Sequence, residues 1–187
     1  MRLFVAIEIP NEVRAAVASL LNEFRALSPQ TKWVRAENMH LTLKFLGETD
    51  AGKSSEVQSA LAAIRSAEKV TVELEGLGFF PSAKRPRVFW VGMRSSSNLA
   101  TIAGDIDRAV HNAGFPLEER PFTPHLTLAR FSEPFLPASL QNAIAANASR
   151  NFGSFSTYQF HLIESKLKST GAEYATLQTF EFATGSE

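Results

Sequence analysis

The tetrapeptide His-Leu-Thr-Leu occurs twice in this chain of 187 residues, at positions 40–43 and again at 125–128. The two copies are separated by an offset of 85 residues (125 − 40). A match of four residues has a real false-positive risk, so its meaning depends on whether the flanking sequence repeats in step. It does, because Arg-Leu-Phe at 2–4 meets Arg-Val-Phe at 87–89 at the same offset. This agreement predicts that the chain is built from two copies of one unit.

Each copy has the residue pattern of a β-α-β-α-β unit. Segments rich in β-branched and aromatic residues predict the strands, and apolar residues at helical spacing predict the helices between them. In the first copy the predicted elements are strands at 2–9, 40–47 and 70–80 and helices at 11–27 and 54–67. In the second copy, strands start at 87, 125 and 155, helices start at 98 and 137, and a further strand at 173–182 closes the chain.

From this pattern we expect an α+β fold in a single bilobal domain over residues 1–187, with the internal repeat at approximately 2–79 and 87–164. A duplication of this kind predicts two pseudo-symmetric lobes, with mostly antiparallel sheets and outer helices around a central cleft. The two His-Leu-Thr-Leu segments would then face one another across the pseudo-two-fold axis.

Composition restricts the possible partners. The 19 basic and 19 acidic side chains balance, so a polyanionic partner has to be met by a local basic patch. The absence of cysteine excludes disulfides, thiolate metal ligands and a cysteine nucleophile. The apolar run at the start is too short for a signal peptide, and no stretch approaches the roughly 20 apolar residues of a membrane span. We therefore expect a monomeric, cytoplasmic protein with no membrane association.

The repeated motif combines two side chains suited to proton transfer and phosphate binding. On a strand, alternate side chains share a face, so His40 and Thr42 point one way while the two leucines point into a core. The second copy presents His125 and Thr127 in the same manner. Imidazole titrates near neutral pH, and two imidazoles on opposite sides of a reacting atom can remove one proton and deliver another. Threonine hydroxyls can hold a phosphate between them.

Other catalytic classes have weaker support. A single histidine followed by a threonine is usually structural, and it is the pairing by an internal repeat that favours a functional site here. Zinc catalysis needs about three protein ligands, which neither motif supplies. We expect the remaining histidines, His111 and His161, to be surface or structural residues. The Gly-x-Ser-x-Gly, P-loop and Gly-x-Gly-x-x-Gly motifs are absent from the sequence.

Several segments together resemble the two-histidine (2H) phosphoesterase superfamily and, more closely, the RNA 2′,3′-cyclic phosphodiesterases historically called 2′-5′ RNA ligases. The segments that carry the resemblance run nearly from end to end: RLFVAIEIP, NMHLTLKFLGE, RPRVFWVGM, RPFTPHLTLAR and SKLKSTGAEYATLQTF. All four motif positions match the family pattern.

The resemblance implies hydrolysis of a terminal RNA 2′,3′-cyclic phosphate to a 2′-phosphomonoester, with no metal or other cofactor. The substrate would be an RNA end, such as a tRNA fragment, or a small nucleotide. By motif, His40 and His125 are the catalytic pair, with His40 favoured as acid and His125 as base, and Thr42 and Thr127 are phosphate ligands. The reverse reaction would join the cyclic phosphate to a 5′-hydroxyl in a 2′-5′ linkage.

Basic residues beside the motifs are candidates for charge compensation. Lys44 shares strand parity with His40, so we expect it to point into the cleft and bind substrate. Arg130 matches a basic position of the family, although strict alternation would turn it away from His125. Other basic residues are equally suited to RNA contacts or to a solvated surface: Arg35, Lys84, Arg85 and Arg87. For Trp33, Phe79 and Phe80, packing in the core is favoured over stacking on a base.

Two alternative functions remain open. One is a 2H phosphodiesterase that acts on a small cyclic nucleotide or a 2′-5′ oligonucleotide. The other is a non-catalytic module that binds RNA ends. Binding alone does not require a matched acid/base pair, so the intact histidines in both copies favour an enzyme.

Overall fold

The computed structural model describes residues 1–133 and 135–183, which contain four α-helices, a short 3-10 turn at Ala36–Asn38 and nine strands. The helices are α1 (Asn11–Leu27), α2 (Ala51–Leu61), α3 (Asn98–Asn112) and α4 (Ala138–Ala146). The strands are β1 (Arg2–Glu8), β2 (Lys32–Trp33), β3 (His40–Glu48), β4 (Val70–Phe80), β5 (Val88–Ser95), β6 (His125–Arg130), β7 (Asn151–Thr157), β8 (Gln159–Lys168) and β9 (Gly171–Glu181).

The strands form two sheets, and every pairing between them is antiparallel. The first sheet has the order β3-β1-β8-β9, and the second has the order β2-β6-β5-β4-β7. The predicted α+β class, with antiparallel sheets in two lobes, is therefore confirmed.

Each sheet takes strands from both halves of the chain. Strand β4, from the first half, pairs with β5, whereas β8, from the second half, pairs with β1. The prediction of one continuous strand at 155–164 was wrong, because the chain leaves the second sheet at Thr157 and enters the first at Gln159. Exchange of these strands ties the two lobes together through main-chain hydrogen bonds.

The helices cover one side of the sheets with their apolar stripes. Helix α1 buries Val13, Val17, Leu20, Leu21 and Phe24. Helix α3 buries Leu99, Ile102, Ala103, Ile106 and Val110. These side chains belong to one continuous core, and burying each large one contributes about 1.5–3 kcal/mol.

The start of helix α2 differs from the prediction. Helix α2 begins earlier than predicted because the Asp50 side chain accepts a hydrogen bond from the Lys53 backbone N–H at 2.8 Å, which caps its first turn. No helix in the described part of the chain has both the length and the apolar character needed to cross a bilayer.

Strand β1 divides its side chains between the two faces of the first sheet. Leu3, Val5 and Ile7 join the main core, whereas Phe4 and Ala6 point to the opposite face. Ala6 lies in register with Thr42 on the neighbouring strand, so this opposite face carries the first motif. At β1 this face is itself covered, because Phe4 and Ala6 form a second buried cluster with Ile163 of β8.

Candidate active site

Both motif histidines stand at the first residue of a strand. β3 begins at His40 and β6 begins at His125. In each strand the histidine and the threonine are partly buried and the leucine between them is buried in the core, as alternation predicts. The two strands belong to different sheets, yet their Cα atoms approach within 8 Å. The fold therefore brings the two motif strands together.

A β-bulge follows the motif threonine in both strands. In the first sheet Ala6 pairs with Thr42 and Val5 pairs with Lys44, so Leu43 has no partner of its own. In the second sheet Trp90 pairs with Thr127 and Phe89 pairs with Ala129, which leaves Leu128 in the same situation. An inserted residue of this kind reverses which face the following side chains occupy.

The bulge turns Lys44 away from the motif face. Lys44 lies opposite Val5, whose side chain is in the main core, and only 6% of its surface is exposed. Its Nζ donates to Asp107 Oδ1 at 2.6 Å and to the Pro116 carbonyl at 2.8 Å. The predicted orientation towards the cleft was therefore wrong, because the period-two argument assumed an unbroken strand.

Asp107 is the ionised partner of the buried Lys44 ammonium group. Partial burial is the largest single effect and raises the pKa of the Asp107 carboxyl group. The hydrogen bonds from Lys44 and from the Glu118 backbone, together with the positive charge of Lys44, outweigh it and hold that pKa below its usual value. The backbone N–H of Glu118 also donates to this carboxylate. Lys44 thus joins β3 to α3 as part of the fold.

The second bulge has the reverse effect on Arg130. Ala129 is buried, and Arg130, one residue further, returns to the face of Thr127 and is exposed. The expectation from strict alternation, which turned Arg130 away, is thus corrected. Phe45 holds the equivalent position after the first bulge, and 68% of its surface is exposed. One half of the site is therefore flanked by a guanidinium group and the other by an aromatic ring.

His40 lies in a partly apolar environment. Its ring centroid is 5.6 Å from that of Tyr174 and 6.2 Å from that of Phe4. Desolvation by these surroundings lowers the pKa of His40; the Asn38 backbone opposes this effect, and the positive charge of Arg14 adds to it. His40 Nδ1 is buried and forms no hydrogen bond of good geometry with the described residues. The neutral imidazole is accordingly favoured in the free protein.

His125 is held in one tautomer. Its Nδ1 lies 2.8 Å from the carbonyl oxygen of Thr123, and a carbonyl can only accept, so Nδ1 carries the proton. The neutral ring consequently has its lone pair on Nε2. Phe80 packs edge-on against this ring, with centroids 5.1 Å apart. Phe80 is therefore a neighbour of the motif histidine, whereas Phe79 and Trp33 pack against the core.

A cavity of about 500 Å³ opens beside His40. Its lining is mainly polar and comes from β1, the start of α1, β7, β8 and β9. Among the lining residues are Glu8, Arg14, His161, Tyr174 and Thr176. A volume of this size lies in the range of small-molecule sites.

His161 also lines the cavity beside His40. It was predicted to be a surface or structural residue, and its exposure of only 4% excludes the surface position and agrees with a structural one. Its Nδ1 lies 2.9 Å from the Thr179 hydroxyl. Desolvation lowers its pKa, and the charge of Glu8 acts in the opposite direction. The offset of 85 aligns His161 with Gly76, so the repeat contained no signal for it.

These lowered pKa values predict how stability depends on pH. A histidine whose pKa is lower in the folded protein binds protons more readily when the chain is unfolded. Its stabilising contribution is complete above the unfolded value of about 6.5 and declines as pH falls towards the folded pKa. We expect the free energy of unfolding, from urea titrations at pH 7, 6 and 5, to decline less in His161→Gln than in the wild type. If the free energy of unfolding declined equally in His161→Gln and in the wild type, His161 would not contribute to the pH dependence of stability.

Of the predicted site residues, His40 lines the cavity, whereas Thr42, His125, Thr127 and Arg130 do not. No group of three or more His, Cys, Asp or Glu side chains arranged to hold a metal ion occurs within residues 1–133 and 135–183. The side chains of the two motif strands carry imidazole groups, which can transfer protons, and hydroxyl and guanidinium groups, which can stabilise negative charge.

Comparison with known proteins finds a family match for the chain. The model of the LigT like Phosphoesterase family matches the chain twice in succession, over residues 7–90 and 91–174. An RNA 2′,3′-cyclic phosphodiesterase of Methanocaldococcus jannaschii is 33% identical over 178 residues, covering 95% of this chain and 99% of that protein. An RNA 2′,3′-cyclic phosphodiesterase of Geobacillus stearothermophilus is 31% identical over 95% of this chain, which spans only 56% of that longer protein.

Solved structures show the same fold. The crystal structure of E. coli LigT complexed with 3′-AMP superimposes with a TM-score of 0.76 at 30% sequence identity. The superposition covers 97% of this chain and 97% of that one.

Proposed function

The chain belongs to the LigT-like phosphoesterase family, and from this premise we propose that it hydrolyses the 2′,3′-cyclic phosphate at an RNA end to a 2′-phosphomonoester. The single observation that supports this most strongly is the matched arrangement of the two motifs. Each histidine begins a strand, each threonine precedes a bulge, and the two strands approach one another from different sheets.

The proposed reaction needs the two histidines in different protonation states. The phosphate lies between the hydroxyl groups of Thr42 and Thr127, and Arg130 offsets its charge. One imidazole removes a proton from water, and the water oxygen attacks phosphorus in line with the bond to the 3′-oxygen. That bond breaks, the other imidazole protonates the departing 3′-oxygen, and the phosphate remains on the 2′-oxygen. The step requires no metal ion and no covalent intermediate.

The tautomer of His125 supports this residue as the base, which leaves the role of acid to His40. The Thr123 carbonyl holds the proton of His125 on Nδ1, which leaves Nε2 free to accept one. Burial lowers the pKa of His40, so His40 has to gain a proton when substrate binds before it can act as the acid. An anionic phosphate beside His40 favours the protonated, positively charged form of the imidazole.

The function is tested by the product of a defined substrate. We expect the protein to convert an oligoribonucleotide ending in a 2′,3′-cyclic phosphate into one ending in a 2′-monophosphate, identified by nuclear magnetic resonance of phosphorus. A 3′-monophosphate product, or no turnover, would rule the proposal out. Addition of an RNA with a 5′-hydroxyl group tests the reverse joining reaction in the same assay.

The acid and base roles can be separated with a leaving group that departs without a proton. A nucleoside 4-nitrophenyl phosphodiester releases 4-nitrophenolate, which needs no acid. We expect His40→Ala to lose much less activity on this substrate than on the cyclic phosphate, and His125→Ala to lose activity equally on both. The opposite pattern would exchange the two roles.

A small cyclic nucleotide remains an alternative substrate, because the cavity of about 500 Å³ beside His40 has room for a ligand of that size. Measuring kcat/KM for a nucleoside 2′,3′-cyclic phosphate and for cyclic-ended oligoribonucleotides of increasing length distinguishes the two. An RNA end as substrate predicts a rise with length, whereas a small nucleotide predicts none.

A further inference from the structure

The short strand β2 places a lysine beside the second motif. Lys32 lies in direct register with Arg130, and Trp33 lies in register with Ala129. Trp33 packs against the core, so Lys32 points to the other face of the sheet, the face shared by Thr127 and Arg130. Both Lys32 and Arg130 are exposed.

This pair of cations costs stability. Like charges directly opposite one another on paired strands repel, and natural sheets tend to avoid them. Among the described residues neither Lys32 nor Arg130 forms an ion pair. By contrast, Arg35, a candidate RNA contact, is paired with Glu37 at 2.8 Å. The pair is a local excess of positive charge in a chain of zero formal net charge, and an anionic ligand would neutralise it.

Further basic residues extend the same edge. The backbone of Arg87 bonds to Phe80 and to Phe131, which places the end of the β4–β5 loop next to the end of β6. Lys84 and Arg85 are exposed in this loop, and neither forms an ion pair within the part of the chain that the structure describes. The cations therefore continue outward from the phosphate ligand Thr127.

We infer that Lys32, which lies beside Arg130 at the reacting phosphate, holds the phosphodiester backbone of the RNA upstream of its cyclic end, so that the RNA leaves the site across β6 and β2. The inference rests on the proposed function. From Thr127 to Arg130 the strand advances roughly 7–10 Å, and β2 lies about 5 Å to the side. The basic strip thus begins at the reacting phosphate and runs in one direction, along the second sheet.

Binding of the reaction product tests this strip without relying on turnover. The probes are an oligoribonucleotide with a terminal 2′-monophosphate and a nucleoside 2′-monophosphate, which lacks upstream phosphates. For the oligonucleotide we expect Lys32→Gln to raise Kd and to reduce the slope of log Kd against log salt by about 0.7, the value for one lost phosphate contact on a single strand. The Kd of the mononucleotide should not change. The melting temperature should stay equal or rise, because a repulsion is removed.

Lys69→Gln serves as the matched control. Lys69 is also exposed, and it precedes β4 at Val70, whereas the loop with Lys84 follows the other end of that strand, roughly 35 Å away. We expect this variant to bind both probes as the wild type does.

Two results would overturn the inference: an unchanged salt slope in Lys32→Gln, or an equal rise in Kd for both probes. Failure of the proposed function gives a different result. In that case the oligonucleotide binds with the expected salt dependence and the cyclic-ended RNA is not hydrolysed.

Discussion

Replacing either His40 or His125 by alanine is expected to lower kcat/KM for an RNA ending in a 2′,3′-cyclic phosphate by at least about 100-fold, with EDTA present throughout. Each imidazole transfers a proton in the proposed transition state, and a general acid or base typically contributes about 10²- to 10⁴-fold. Losses in the double variant should be smaller than the product of the single losses, because the two groups act in one step.

The matched control for these variants is His111→Ala. His111 is an exposed residue of α3 that belongs to neither motif and does not line the cavity, and its Nδ1 bonds to the Phe115 carbonyl at 2.9 Å. We expect its kcat/KM to equal that of the wild type, with circular dichroism confirming that all variants are folded. Loss of wild-type activity in EDTA, or full activity in either motif variant, would count against the mechanism.

Replacing Lys44 by methionine is expected to destabilise the protein by about 2–4 kcal/mol. Breaking a buried ion pair by removing one partner costs about 3–5 kcal/mol, and the estimate is reduced here because the Asp107 side chain is 20% exposed. The remaining folded protein should retain the kcat/KM of the wild type, since Lys44 Nζ is directed to α3 and not to the motif face. Urea denaturation and the hydrolysis assay measure the two effects separately.

A comparison with Arg130→Ala makes this prediction specific. Arg130 is exposed on the motif face, so its loss should reduce kcat/KM and leave the free energy of unfolding nearly unchanged. In the double variant Lys44→Met/Asp107→Asn, stability should fall by less than the two single losses combined, because the partners are coupled. If Lys44→Met instead lowered kcat/KM as Arg130→Ala does and kept its stability, Lys44 would be a substrate ligand after all.

Local sequence patterns were sufficient for the fold class and for the strands that carry the motifs. The apolar stripes of α1 and α3 and the alternation of His40, Leu41 and Thr42 are periodic, and periodicity within one segment determines which side is buried. The repeat of His-Leu-Thr-Leu added information at long range, because it selected two histidines of the four in the chain. These features are present in the sequence itself and do not depend on how the strands pair.

Pairing between distant strands decided which other side chains lie on the motif face or in the cavity. A bulge exists only relative to a partner strand, so nothing within residues 40–48 reveals that Leu43 is unpaired and that Lys44 and Phe45 change faces. The same holds for Leu128, which returns Arg130 to the motif face. His161 reaches the cavity because β8 crosses into the first sheet, and Lys32 reaches Arg130 because β2 pairs with β6. The sequence by itself determined which residues form the motif strands, and only the tertiary structure decided which neighbours share their face, because a strand's register depends on its partner.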